Sequence, residues 1–348
     1  MRTDRIVHVV HVHAEGEVGD VVVGGVAPPP GDSIWEQSRF IANNGELRSF
    51  LLNEPRGGVF RHVNLLVPPK DPRAQAAFII MEPEDTPPMS GSNSLCVAAA
   101  LLETGQVPVI EPVTELVLEA PAGLVTIEAQ CSSGSVDSLT LTNVPSFVER
   151  RNEILHVAGI GDVRVDTAFG GDSFVIVAAE DLGVDIRPEN ARKLAELGRA
   201  VCDAANSQWT FEHPTLSDWT HFSFAYLTGP VSEDEGSLTS RNACAINPGK
   251  VDRSPTGTGC SAFMALLHDR GELAVGDSYR GRSIIDSVFD CTIAGETYVA
   301  SVSAIIPTIR GRAWVYGTSQ YYRDPRDPWP LGYQLSDTWP SGSGLELG

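Results

Sequence analysis

The chain has 348 residues, 42% of them hydrophobic and 20% charged, the balance of a folded protein with room for two ordinary domains. Its 25 basic residues face 45 acidic ones, and the net charge of -20 repels phosphate backbones and anionic lipid, arguing against nucleic-acid and membrane roles. That charge does nothing to attract a small acid, so a carboxylate substrate needs a local binding device.

The apolar run that starts at Ile6 is interrupted by His8 and His11, which is not the pattern of an export signal. No apolar stretch is long enough to span a bilayer, and a cytoplasmic location is expected. Short β-branched runs bounded by Gly and Pro predict strands at residues 5–12 and 21–26. Ser33 and Glu36 form an S-x-x-E capping box before a helix at 35–41. Further strands are predicted at 59–67, 76–81, 115–120, 162–168 and 174–178. Residues 190–205 carry Leu194, Leu197, Val201 and Ala205 at helical spacing. Strands follow at 222–227, 243–247, 298–304 and 313–316, and from Tyr321 four prolines with many Gly and Ser predict an extended tail. Strand-rich halves with a few long helices indicate an α+β fold.

Six cysteines (Cys96, Cys131, Cys202, Cys244, Cys260 and Cys291) are scattered without a C-x-x-C pair. They suggest neither a zinc site nor a disulfide framework, and are expected to be buried as small hydrophobes. His11 and His13 are spaced like metal ligands on one strand face, but no second cluster completes a site, so no metal is expected.

An internal repeat organises the rest. Ser90-Gly91-Ser92-Asn93-Ser94-Leu95-Cys96 leads into an apolar helix and closes at Gly105. Thr256-Gly257-Thr258-Gly259-Cys260-Ser261-Ala262 does the same and closes at Gly271, in both copies 15 positions after the first hydroxyl residue. A proline stands just before each copy, at Pro88 and Pro255. The repeat predicts two related halves, divided at about 1–150 and 151–348, each presenting a helix N-terminus. Such an end carries unpaired N–H groups and partial positive charge, and so holds a carboxylate without a basic side chain. Gly91 and Gly257 would let backbone approach a ligand closely. The plainer alternative is a pair of ordinary Ser and Thr helix caps.

The segment Asp252-Arg253-Ser254-Pro255-Thr256-Gly257-Thr258-Gly259 resembles the D-R-S-P-C-G-T-G motif of the proline racemase superfamily, and Met89-Ser90-Gly91-Ser92 resembles its M-C-G-H motif. Glu54-Pro55-Arg56-Gly57, His13-Ala14-Glu15-Gly16 and Asp166-Thr167-Ala168-Phe169-Gly170-Gly171 look like further signatures of that family. The resemblance implies a fold like diaminopimelate epimerase, with two pseudo-symmetric α/β halves around central helices, the active site in the cleft between them, and the final segment packing back on the first half. It implies a cofactor-independent enzyme, monomeric or homodimeric, acting on a small cyclic amino acid. Carried over by position, Ser90 and Thr256 take the places of two catalytic cysteines. Gly91, Ser92, Gly257 and Thr258 become carboxylate contacts, and Asp252 meets the ring nitrogen.

Both cysteines of the motif are absent here, and an unassisted alcohol is a far weaker acid or base than a thiol. A two-base racemase would be handicapped by that loss. Dehydration of trans-3-hydroxy-L-proline asks for one proton carrier, since its α-hydrogen and hydroxyl share a ring face, and Thr at the second position resembles the family's dehydratases. The expected activity is therefore syn elimination with Ser90 as proton acceptor, yielding pyrroline-2-carboxylate. Proline or 4-hydroxyproline racemisation or epimerisation, and non-catalytic binding of a cyclic amino acid, are the alternatives. Cys96 and Cys260 are other conceivable bases. Asp172, Ser173 and His221 are conceivable substrate contacts, and Arg253 is expected in a structural ion pair.

Overall fold

The computed structural model describes residues 3–339. They form two compact units, one running to Leu139 and resuming at Arg312, the other spanning Thr140–Gly311. Position 150 falls inside the strand Phe147–Val157 of the second unit. Five α-helices are present among the described residues: α1 (Ile34–Asn43), α2 (Glu46–Leu52), α3 (Gly91–Glu103), α4 (Ala191–Gln208) and α5 (Gly257–Asp269).

In the first unit, Ala313–Arg323 pairs antiparallel with Arg5–Ala14, which pairs antiparallel with Glu17–Gly24. The order continues through Arg61–Val67, Ala76–Met81, Val113–Ala120 and Gly123–Ser132, with pairings parallel, antiparallel, parallel and antiparallel. The second unit follows the same series of senses through Phe147–Val157, Gly161–Phe169, Ser173–Ala178, Phe224–Thr228, Ser237–Ile246, Ser278–Arg282 and Val288–Val299. The helices occupy matching places. α1 and α2 in one unit, and α4 in the other, link the first parallel pair; α3 and α5 link the second. The short motif repeat is thus the visible part of a duplicated topology, and the α+β class stands.

The two central helices are alike in length and closure. Each has 13 residues, and its chain leaves through a left-handed glycine, Gly105 at φ 71 and Gly271 at φ 74. Gly91–Leu102 and Gly257–Leu267 are buried throughout, because each helix lies against the strands of its own unit with no wet face. Glycine makes the contact close. A Cβ on Gly19 would stand 2.7 Å from Asn93 Oδ1, and one on Gly170 only 2.0 Å from the Thr258 carbonyl oxygen.

At α1 the Ser33 hydroxyl accepts the Glu36 N–H at 3.1 Å, while Glu36 reaches back to the N–H of Asp32 at 2.7 Å rather than to that of Ser33. The strand predicted at 298–304 is instead the turn of a hairpin between Val288–Val299 and Val302–Gly311, with Ala300 at φ 52. β-branched residues flank that turn on both sides, which is why the run reads as one strand. The predicted tail is also corrected. Tyr321 to Arg323 complete a strand, Tyr333 bridges Glu54, and the Trp339 ring is 1% exposed with its Nε1 donating to Glu54 Oε1 at 3.2 Å. The remainder of that predicted tail, residues 340–348, lies outside the described residues.

The close approaches give a stability prediction. Gly170→Ala drives a methyl into backbone that cannot yield and is expected to cost at least about 3 kcal/mol. Gly105→Ala meets no atom within 4 Å and bears only the left-handed φ, about 1 kcal/mol. Urea midpoints of the two variants measure the difference.

Candidate active site

Ser90 is the N-cap of α3, with extended backbone at φ -149 and ψ 125. Its Oγ accepts the side-chain amide of Asn93 at 2.9 Å and the backbone N–H of Asn93 at 3.4 Å. A third neighbour, Ser92 Oγ, lies at 3.4 Å. The half-buried Ser90 oxygen thus has two donors aimed at it, at the positive end of a helix. Both features favour negative charge on that atom.

A polar network lies behind this serine. Asn64 Nδ2 donates to Asn93 Oδ1 at 2.8 Å and approaches the Asp20 carbonyl at 3.3 Å. The Asn93 amide nitrogen lies 3.3 Å from His62 Nδ1. His62, 2% exposed, stands between two buried carboxylates, with Glu82 3.6 Å from Nδ1 and Glu17 3.6 Å from Nε2.

Thr256 is the N-cap of α5 but is built differently. It has φ 64 and ψ 95, a left-handed conformation rare for a β-branched residue, and its side chain caps nothing. Its hydroxyl donates to Asp252 Oδ2 at 2.7 Å. The other oxygen of Asp252 accepts the Ser254 N–H at 2.7 Å, and the Thr256 N–H donates to Ser254 Oγ at 3.1 Å. These bonds offset the backbone strain, which is of order 1–3 kcal/mol for such a residue. Asp252 therefore acts as a turn carboxylate, whatever else it meets.

Gly91 and Ser92 open α3, and Gly257 and Thr258 open α5, all four buried. Their N–H groups belong to the first turn, which has no intrahelical acceptors. Asp172 is fully buried and accepts from Ser223 Oγ at 2.5 Å and from the Ser173 N–H at 2.7 Å. Ser173 donates its hydroxyl to the His221 carbonyl, and the His221 ring lies over Trp219 at 4.3 Å. Arg253 donates to the Val251 carbonyl at 2.8 Å. His11 pairs with Asp20 and Ser319, and His13 stacks on Trp314, so each is held by its own strand neighbours.

The repeat places Gly259 where α3 has Asn93. A Cβ on Gly259 would stand 2.5 Å from the ring of Tyr226, whose hydroxyl donates to the Pro255 carbonyl at 3.0 Å. One helix end is backed by an amide and a histidine, the other by an aromatic ring. Sequence reading missed Asn93, Asn64, His62 and Tyr226. The mismatch of Asn93 with Gly259 inside an otherwise matching repeat is the signal that could have found the first of them.

A family model described as proline racemase matches residues 9–334. The crystal structure of a hydroxyproline epimerase from Agrobacterium vitis with bound trans-4-hydroxy-L-proline is similar at TM-score 0.93 and 43% identity, covering 99% of this chain and 98% of that one. A probable proline racemase from Agrobacterium radiobacter K84 with bound carbonate is similar at TM-score 0.91 and 39% identity, covering 96% and 98%. A phenazine biosynthesis protein of the PhzF family from Bacillus anthracis shares the fold at TM-score 0.53 and 12% identity, covering 92% and 99%. The chain has the mixed α/β two-domain fold of these proteins and of diaminopimelate epimerase. No helix among the described residues is long and apolar enough to cross a membrane.

All six cysteines are buried thiols outside any disulfide. Burial pushes the Cys202 thiol up to about 12 and raises Cys291 as well. Thiols so placed are poor nucleophiles and poor proton carriers at neutral pH. Iodoacetamide at pH 8 is expected to leave activity intact and to label none of the six in the native protein, while labelling all of them in denaturant. Inactivation together with modification of Cys96 or Cys260 would make one of those thiols the base.

Proposed function

Because the chain belongs to the proline racemase family, we propose that it works at the α-carbon of a cyclic amino acid and removes water from trans-3-hydroxy-L-proline. The observation that carries this reading is the unequal use of two hydroxyls. Ser90 Oγ receives two donors, whereas Thr256 Oγ1 gives its hydrogen to Asp252. A racemase needs a proton carrier for each ring face. A carboxylate is a far weaker base than an alkoxide and leaves the hydrogen on the alcohol, so Thr256 bound to Asp252 remains a donor.

The elimination balances with one hydroxyl. The serine hydrogen passes to the C3 hydroxyl, and the negative charge this leaves on Ser90 Oγ, held by the two Asn93 donors, takes the α-hydrogen. The released electron pair forms the double bond between the α-carbon and C3 as the C3–oxygen bond breaks and the protonated hydroxyl departs as water. Serine is regenerated, and the enamine product tautomerises to pyrroline-2-carboxylate. No electron leaves the substrate, so the reaction requires no redox cofactor. As charge spreads onto the carboxylate, the first-turn N–H groups at Gly91, Ser92, Gly257 and Thr258 stabilise it. The Asp252 carboxylate, which stands at the matching motif position, serves the ring ammonium.

A second reading draws support from the Agrobacterium vitis neighbour, an epimerase in which trans-4-hydroxy-L-proline is bound. The two readings separate in a simple assay. Purified protein incubated with each hydroxyproline isomer in deuterium oxide is expected to form imine product from the trans-3 isomer and to leave the 4-hydroxy isomers unexchanged at the α-carbon. Inversion of trans-4-hydroxy-L-proline without imine formation from the trans-3 isomer would establish the epimerase instead. Ser90→Ala should lower kcat roughly 10³-fold. Thr256→Ser, which retains the donor to Asp252, should stay within about tenfold of the parent.

A further inference from the structure

The hydrogen bonds behind Ser90 have directions that can be worked out in sequence. The Asp20 carbonyl can only accept, so the Asn64 amide turns its nitrogen toward it. That same nitrogen faces Asn93 at 2.8 Å, so the Asn93 atom it meets is the carbonyl oxygen. The Asn93 nitrogen must then face Ser90 Oγ at 2.9 Å and His62 Nδ1 at 3.3 Å. Its two hydrogens leave both of those atoms as acceptors. A backbone carbonyl two residues removed thereby dictates that the serine oxygen accepts, and asparagine cannot flip without breaking the bond from Asn64.

We propose that Asn93 is a positioning residue for the reaction, keyed by Asn64 and His62, that holds the Ser90 oxygen as a hydrogen-bond acceptor and stabilises the negative charge it carries between giving up its own hydrogen and taking the α-hydrogen. The proposal rests on the reading of Ser90 as proton carrier. The duplication supports it independently, because Gly259 stands at the matching position of α5, where Thr256 is a donor and no such amide exists. The first unit invests buried polar groups, Asn64, Asn93, His62, Glu17 and Glu82, where the second places Tyr226.

His62 adds a condition. With Nδ1 accepting from Asn93, its proton sits on Nε2, facing Glu17 of the strand Glu17–Gly24. Glu82, just beyond the strand Ala76–Met81, faces Nδ1, and Asn93 is the group that α3 presents to the ring. A proton on Nδ1 would set N–H against N–H, turn Asn93 away and favour a bond to Glu82. Protonation of His62 is thus expected to disable Ser90 without touching substrate.

The test uses the full-length protein with whichever of proline and the hydroxyprolines the parent turns over, and L-proline as a binding probe in thermal shift. Asn93→Ala should lower kcat roughly 10²-fold, as loss of one donor to a developing anion does, with KM and the L-proline shift retained. Asn93→Asp is isosteric and gives the sharper readout. Its carboxylate cannot donate, but its protonated form can, so its kcat relative to the parent should climb as pH falls. His62→Gln, which still offers Asn93 an acceptor, should remove the acid limb of the parent's kcat profile. If Ser90→Ala is inactive while both Asn93 variants keep kcat within about threefold, the positioning role is overturned. The same holds if the Asn93→Asp loss is equal at every pH and KM rises with it. Activity in Ser90→Ala would instead overturn the reading of Ser90.

Discussion

A helix buried on every side must find partners for its polar ends inside the protein, and that requirement organises each unit of this chain. α3 and α5 are apolar all round and are wrapped by strands of their own unit, so their first-turn N–H groups cannot all turn to bulk water. Small residues make the fit. Gly19 in its strand and Gly170 just past the strand Gly161–Phe169 let backbone lie where a side chain would collide, and Gly105 and Gly271 turn the chain away at the far ends. Each such helix end has the electrostatics to hold an anion without a basic side chain, in a protein of net charge -20.

Duplication supplied the same device twice, and divergence then made the copies unequal. Topology, helix length and closing glycine are shared, whereas the groups behind the two hydroxyls are not. Ser90 sits in relaxed extended backbone with an amide behind it. Thr256 is held in a strained left-handed conformation by the Asp252 turn, with its hydrogen committed. A symmetrical pair of proton carriers suits inversion of a stereocentre. An unequal pair suits a reaction that happens on one face. On the proposed reading, this is the physical sense in which the loss of two thiols redirects the family's chemistry.

The legible part of the fold was the part governed by local rules. The box at Ser33 and Glu36, the amphipathic stretch that became α4, and the strand Ala76–Met81 follow from capping and periodicity alone. The misread segments failed for a physical reason. The hairpin turn near Ala300 is flanked by β-branched residues that pattern cannot distinguish from a continuous strand, and the segment ending in Trp339 owes its order to partners such as Glu54 nearly 300 residues earlier. The short helix α2 has neither cap nor length to announce it.

What the sequence by itself determined is the kind of device present: a repeated hydroxyl, glycine and helix motif whose electrostatics follow from the helix end alone, in a chain built of two like halves. What only the tertiary structure decided is how each hydroxyl is used. Donor and acceptor roles depend on groups far apart in the chain, with the Asp20 carbonyl and Asn64 setting Asn93, and Asn93 setting Ser90. A hydroxyl can both give and receive a hydrogen bond. Its role is assigned by the geometry of its neighbours, and that geometry exists only once the strands and the helix have packed.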